Sequence, residues 1–136
     1  WICKLIFPNK AATLLEKAVK SEEIDKIREY IVQYKELEDK RNQLLEGEII
    51  NLERYYTTVE GSACYIEANV CKVLEPERFE TDYVNTISDY ANGTAKYYKA
   101  GMAQCMILDR IAPGWKEKYD FSKVPMELIY EILEMK

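Results

Sequence analysis

Glu60 and Glu67 stand seven residues apart, with Cys64 between them and Cys71 beyond. On a helix that spacing sets all four on adjoining positions of one face. Paired carboxylates can divide acid and base work, and a Glu/Cys/Glu/Cys face offers oxygen and thiolate ligands to a metal ion. Each feature also has a plainer reading. Helix-borne cysteines beside a core stripe usually behave as small hydrophobes. Thr57-Thr58-Val59-Glu60 fits the S/T-x-x-E capping box, in which the Glu reaches back to the backbone N–H of the cap residue. Glu60 is thus either a cap or a site residue. The chain has 11 tyrosines, including the pairs Tyr55-Tyr56 and Tyr97-Tyr98. Most are expected at the core edge, and Tyr97 and Tyr98 are the candidates for a catalytic phenol. Arg41 interrupts an apolar stripe, where it either passes through solvent or lines a cleft.

The chain contains no histidine. It therefore holds no Ser/His/Asp or Cys/His arrangement and supplies no imidazole to a metal. No glycine-rich loop suits a phosphate. Cys3, Cys64, Cys71 and Cys105 form no C-x-x-C pair, are too sparse for a disulfide-stapled scaffold, and are expected as buried free thiols. The net charge is -5 and the carboxylates are scattered among lysines, so no basic face is expected for nucleic acid.

Residues 57–67, Thr-Thr-Val-Glu-Gly-Ser-Ala-Cys-Tyr-Ile-Glu, resemble the E-G-x-A-x-Y-x-E segment found downstream of H-E-x-x-H in gluzincin-type zinc metallopeptidases. Glu60, Gly61, Ala63, Tyr65 and Glu67 carry the likeness. A second stretch, Tyr97-Tyr98-Lys99-Ala100-Gly101, then Leu108-Asp109 and Pro113-Gly114-Trp115-Lys116, looks like the Tyr/Gly helix and Trp turn that follow in uncharacterised members. A long charged helix bearing Arg41 precedes both, so the resemblance covers roughly residues 22–118. It implies that Glu60 is the third protein ligand to zinc and that Gly61 and Ala63 allow close helix approach. Glu67 and Arg41 would support the ligands from behind, and Tyr98 would donate to the oxyanion of a peptide substrate. In such peptidases H-E-x-x-H supplies two imidazole ligands and the Glu that activates water. It is absent here. The resemblance therefore implies that zinc belongs to a longer protein, whose upstream catalytic portion is this chain's partner. No cofactor and no activity are expected of the chain alone. The alternative is a non-enzymatic helical interaction module, in which the 24–55 stripe docks a partner helix or a second copy.

These residues need elements to hold them. With 136 residues, 48% of them hydrophobic, and only five glycines and four prolines, one helical domain over 1–136 is expected. The fold class is all-α, an irregular helical bundle of about five or six helices with one long helix. The opening run from Trp1 ends at Pro8, too short for a signal core or a transmembrane segment. The start on Trp1 is read as part of a longer protein. Residues 10–20 form a short amphipathic helix that Ser21 ends, with Ser21 also capping the next. A long helix is expected over 22–55, with Glu38 to Gln43 and Gly47 as places for a kink. Thr57 or Thr58 restarts the helix, with Val59, Ala63, Ile66, Val70 and Val73 as its core stripe, until Glu75-Pro76 stops it. A weaker helix over 81–91 around Tyr83, Val84, Ile87 and Tyr90 closes at Asn92-Gly93. Residues 100–108, apolar on every side apart from Gln104, are the central helix. After Pro113-Gly114 a last helix starts at 122–125, with Leu128, Ile129, Ile132 and Leu133 inward.

Overall fold

The apolar spacing in residues 10–20 produces a helix that buries Ala11, Leu15, Ala18 and Val19. The helix is longer than that segment. The computed structural model describes the backbone of residues 2–90 and 93–135 and the side chains of 9–89 and 93–135. In it α1 runs Ile2–Lys20, so Pro8 lies inside α1 and does not precede it. A proline in a helix forfeits its own hydrogen bond to the residue four back, and packing of the later turns on the core outweighs that loss. Trp1, the Cys3 side chain, the Tyr90 side chain and Asn92 fall outside the described residues.

α2, Ile24–Asn42, buries Ile27, Ile31 and Tyr34 and packs along α1. Its N-cap is Glu23, not Ser21, whose hydroxyl instead donates to the Glu23 carbonyl at 3.4 Å. The expected 22–55 helix is divided. After Asn42 the chain turns over residues 43–46, and α3 then runs unbroken as Gly47–Leu74, 28 residues. Gly47 therefore opens a helix where a kink was expected, and no restart occurs at Thr57 or Thr58. The Thr58 hydroxyl donates to the Arg54 carbonyl at 2.8 Å, a bond made within a helix and not at its start. The capping box is overturned with it: Glu60 lies in mid-helix.

α3 also turns an unexpected face inward. Thr58, Gly61, Cys64, Tyr65 and Ala68 are buried, whereas Val59, Ile66, Val70 and Val73 are exposed, Val73 by 80%. The reason lies in α5, Ala95–Ile111, against which α3 packs most extensively. A Cβ placed on Gly61 would lie 2.4 Å from the Gly101 Cα, and one on Gly101 would lie 2.2 Å from the Thr57 carbonyl oxygen. Two glycines thus let the backbones touch, and the small-residue face wins over the larger aliphatic one.

Glu75 ends α3. Pro76 opens a single turn, α4 (Pro76–Arg78), which passes into a π-helical turn at Phe79–Val84 and a 3-10 turn at Ile87–Tyr90. The weak helix expected over 81–91 is thus a series of short turns that starts earlier, because proline is favoured at a first helical position. Phe79, Val84 and Ile87 from these turns are buried. Every residue of α5 from Gly101 to Leu108 is buried, so α5 is the central helix. Gly114, at φ +86°, supplies the left-handed turn that follows it. α6, Pro125–Ile132, then begins with proline at its first turn. The Gln104 Oε1 accepts from the Met126 N–H at 3.1 Å, which accounts for a buried amide in the core. Among the described residues there are six α-helices and no strand, an all-α bundle. None of those helices is long and apolar enough to cross a membrane.

Candidate functional site

The Gly61–Gly101 approach fixes what surrounds Glu60. It brings Tyr98, one turn earlier on α5, beside the Glu60 carboxylate. That carboxylate, accepting from the Tyr98 hydroxyl, and its charge raise the Tyr98 phenol above its ordinary pKa. Glu60 is half-buried and Tyr98 is 39% exposed, so the pair stands at the surface with its polar atoms reachable. These two predicted site residues are together. Glu67, two turns along α3, is exposed and faces Tyr83, whose phenol is lifted by burial and by Glu67. The Lys99 ammonium is lowered, chiefly by burial, against the raising effect of Cys64 and Glu67.

Cys64 does not join the open face. Its Sγ lies 3.6 Å from the Met102 Sδ, and burial raises its thiol pKa. Cys105 is buried and pushed up to about 12, also by burial. Cys64, Cys71 and Cys105 are free thiols, with Cys71 only half-buried. Among the described residues no three His, Cys, Asp or Glu side chains converge to hold a metal ion.

Four other residues of the two likeness stretches form a brace. The Tyr65 hydroxyl donates to Asp109 Oδ2 at 2.6 Å and accepts from the Lys116 ammonium at 2.8 Å. The Trp115 indole N–H donates to Asp109 Oδ1 at 2.9 Å. Tyr65, Asp109, Trp115 and Lys116 thus tie α3 to the end of α5 and the turn after it. Ala63, expected at the close approach, is exposed; Gly101 takes its place.

Arg41 belongs to a second cluster. It lines a cleft, only 16% of its side chain exposed, and pairs with Glu53 through two parallel bonds. Its Nη1 donates to Glu53 Oε2, and Nη2 to Oε1. The Tyr97 hydroxyl also donates to Glu53, at 3.0 Å, and Lys96 stands 3.5 Å away. Burial alone would raise the Glu53 carboxyl, but the bonds and charge of Arg41, with Lys96 and Tyr97, hold it below its ordinary range. Burial and Glu53 push the Tyr97 phenol up to about 12. Glu38, beside them, is raised by burial despite Arg41. These groups open on a cavity of about 190 Å³ with Leu15, Ile87 and Ala100 in its wall. Arg54 of α3 pairs with Glu127 of α6 at the same cavity. Sequence reasoning singled out Arg41 and Tyr97 but missed Glu38, Glu53 and Lys96. The one available signal was a charged residue on an apolar stripe.

Compared with protein families, curated proteins and solved structures, the chain matches none.

Proposed function

We propose that this chain is the helical C-terminal domain of a zinc metallopeptidase, with Glu60 as the third protein ligand. The observation that carries the proposal is the position of Glu60: in mid-helix, half-exposed, free of a capping role, and beside the Tyr98 hydroxyl. A carboxylate there can reach a metal supplied from outside the domain, and a phenol beside it can donate to an oxyanion. The Gly61–Gly101 approach further supports the reading, because it sets both residues on rigid, touching helices.

On this reading Glu60 is the chain's share of the three protein ligands that a catalytic zinc site uses. Two imidazoles and a general-base Glu would come from an upstream catalytic portion carrying H-E-x-x-H. Zinc would supply Lewis acidity for cleavage of a peptide bond. The chain's own contributions are a ligand at Glu60, a donor at Tyr98, and a brace at Tyr65, Asp109 and Lys116 that holds α3 in place. Glu67, one face-repeat away, would orient the ligand set.

The test is zinc content in the longer protein. Glu60→Gln should take bound zinc from about one ion per chain to near zero and abolish peptidase activity. Tyr98→Phe should retain zinc and lose about tenfold to a thousandfold in kcat. A parent reading frame with no H-E-x-x-H ahead of this domain overturns the proposal, as does full zinc retention in Glu60→Gln.

The rival reading, a docking stripe over 24–55, is interrupted in α2, because Ile27, Ile31 and Tyr34 are core residues.

A further inference from the structure

The apolar residues that α3 leaves outside follow a stricter rule than chance exposure. From Ile49 and Leu52, through Val59 and Ile66, to Val70 and Val73, with Tyr56 and Ala63 between, the steps alternate three and four. All eight are exposed. This is a seven-residue repeat carried over about 36 Å of helix at 1.5 Å per residue. A face that met a sheet or a flat surface would have no need of that period. A seam that stays in register over three heptads matches one kind of object, another helix.

Charge then selects the helix. Along one edge of the seam Glu53, Glu60 and Glu67 recur at the same seven-residue interval, and the other edge begins with Glu48. Glu53 is drawn inward by Arg41, while Glu60 and Glu67 stay at the edge. Lys99 of α5 is bonded to the Asp82 carbonyl and to Thr86. A second copy laid antiparallel would set Glu60 against Glu60, like charges across the seam. One laid parallel would set Glu60 against Tyr55 and Glu67 against Ser62, so neither arrangement gives these two carboxylates a cationic partner.

The geometry points to the outer face of α3 as the docking site for a helix of another polypeptide segment, apolar at every third and fourth residue and edged with lysine or arginine. The inference does not rest on the zinc reading, and no metal enters its test.

Two 28-residue peptides serve as probes. Both carry leucine at the a and d positions; one carries lysine and the other glutamate at e and g, so that neither pairs with itself. The chain alone should sediment as a monomer. It should bind the lysine-edged peptide in calorimetry at least about tenfold more tightly than the glutamate-edged one, and more weakly as salt is raised. Ile66→Asp should abolish binding, and the double change Glu60→Gln with Glu67→Gln should reduce it about tenfold. Circular dichroism should show both variants folded, because the altered side chains lie outside the core. Three results overturn the inference: self-association of the chain that Ile66→Asp removes, binding of neither peptide, or equal binding of both.

Discussion

At the scale of single residues, two carboxylates in one cavity are shifted in opposite directions. Glu53 lies below its ordinary range because Arg41, Lys96 and Tyr97 outweigh its burial, and Glu38 lies above because burial outweighs Arg41. Their effects on stability therefore have opposite signs. The contribution of Glu53 is complete above the unfolded value of about 4.3 and is lost as pH falls through its lowered folded value. Glu38 holds its proton more tightly when folded, so its contribution is complete below about 4.3 and is lost as pH rises through its raised folded value. Glu53→Gln should lower stability at pH 7 by about 1–3 kcal/mol, since it breaks a paired hydrogen bond to a guanidinium that is largely enclosed. It should also flatten the acid limb. Glu38→Gln should raise stability at pH 7 and remove the opposing trend. Urea titrations between pH 3 and 7 measure both, and the same sign for the two variants would contradict these environments. Little of this cluster was legible in sequence. Arg41 was visible as a charge on an apolar stripe, but its partner lies beyond a turn expected only as a kink, and no local pattern links residues across such a turn.

At the scale of elements, the α3–α5 crossing carries the site, and its glycines can be tested directly. Gly101→Ala would press a methyl to within 2.2 Å of the Thr57 carbonyl oxygen, and Gly61→Ala to within 2.4 Å of the Gly101 Cα. The obstacles are backbone atoms, which cannot swing aside. The helices must separate, at a cost of about 1–3 kcal/mol for each variant in chemical denaturation, with non-additive behaviour in the double variant. The Tyr65 brace and the Glu60–Tyr98 pair would separate with them. Gly47→Ala provides the contrast: nothing lies within 4 Å of a Cβ there, and the position opens a helix, so a gain of about 0.5–1 kcal/mol is expected. A neutral Gly101→Ala would refute the close approach. Sequence periodicity located the helical segments of α3 but assigned the wrong face. Apolar spacing marks a face that seeks a neighbour without telling which neighbour, and α3 carries two such faces. The glycines and Tyr65 take the one inside the bundle. The division at 43–46 was legible only as a possible kink, since no proline precedes Gly47 there.

At the scale of the whole molecule, the two kinds of apolar residue should separate in energy. Residues 100–108 were recognisable as the central helix because they leave no polar face, and Gln104, their one exception, is satisfied at the start of α6. Ile107, fully buried, should therefore cost about 2–5 kcal/mol as Ile107→Ala, from lost transfer energy and a cavity that rigid neighbours cannot close. The outer residues of α3 are as apolar by type but have little left to lose. Ile66→Ala and Val73→Ala should each stay within about 0.5 kcal/mol in the free chain, as surface positions do. If α3's outer face receives a helix, the ranking must change on docking. The same substitutions would then lower the stability of the complex with the lysine-edged peptide while leaving that of the free chain in place, because ligand binding adds stability only in proportion to its affinity. Ile107→Ala would lower both equally. Thermal unfolding of the three variants with and without the peptide distinguishes a core residue from a seam residue, and a stripe residue that behaves like Ile107 in the free chain would show that α3's outer face is already covered.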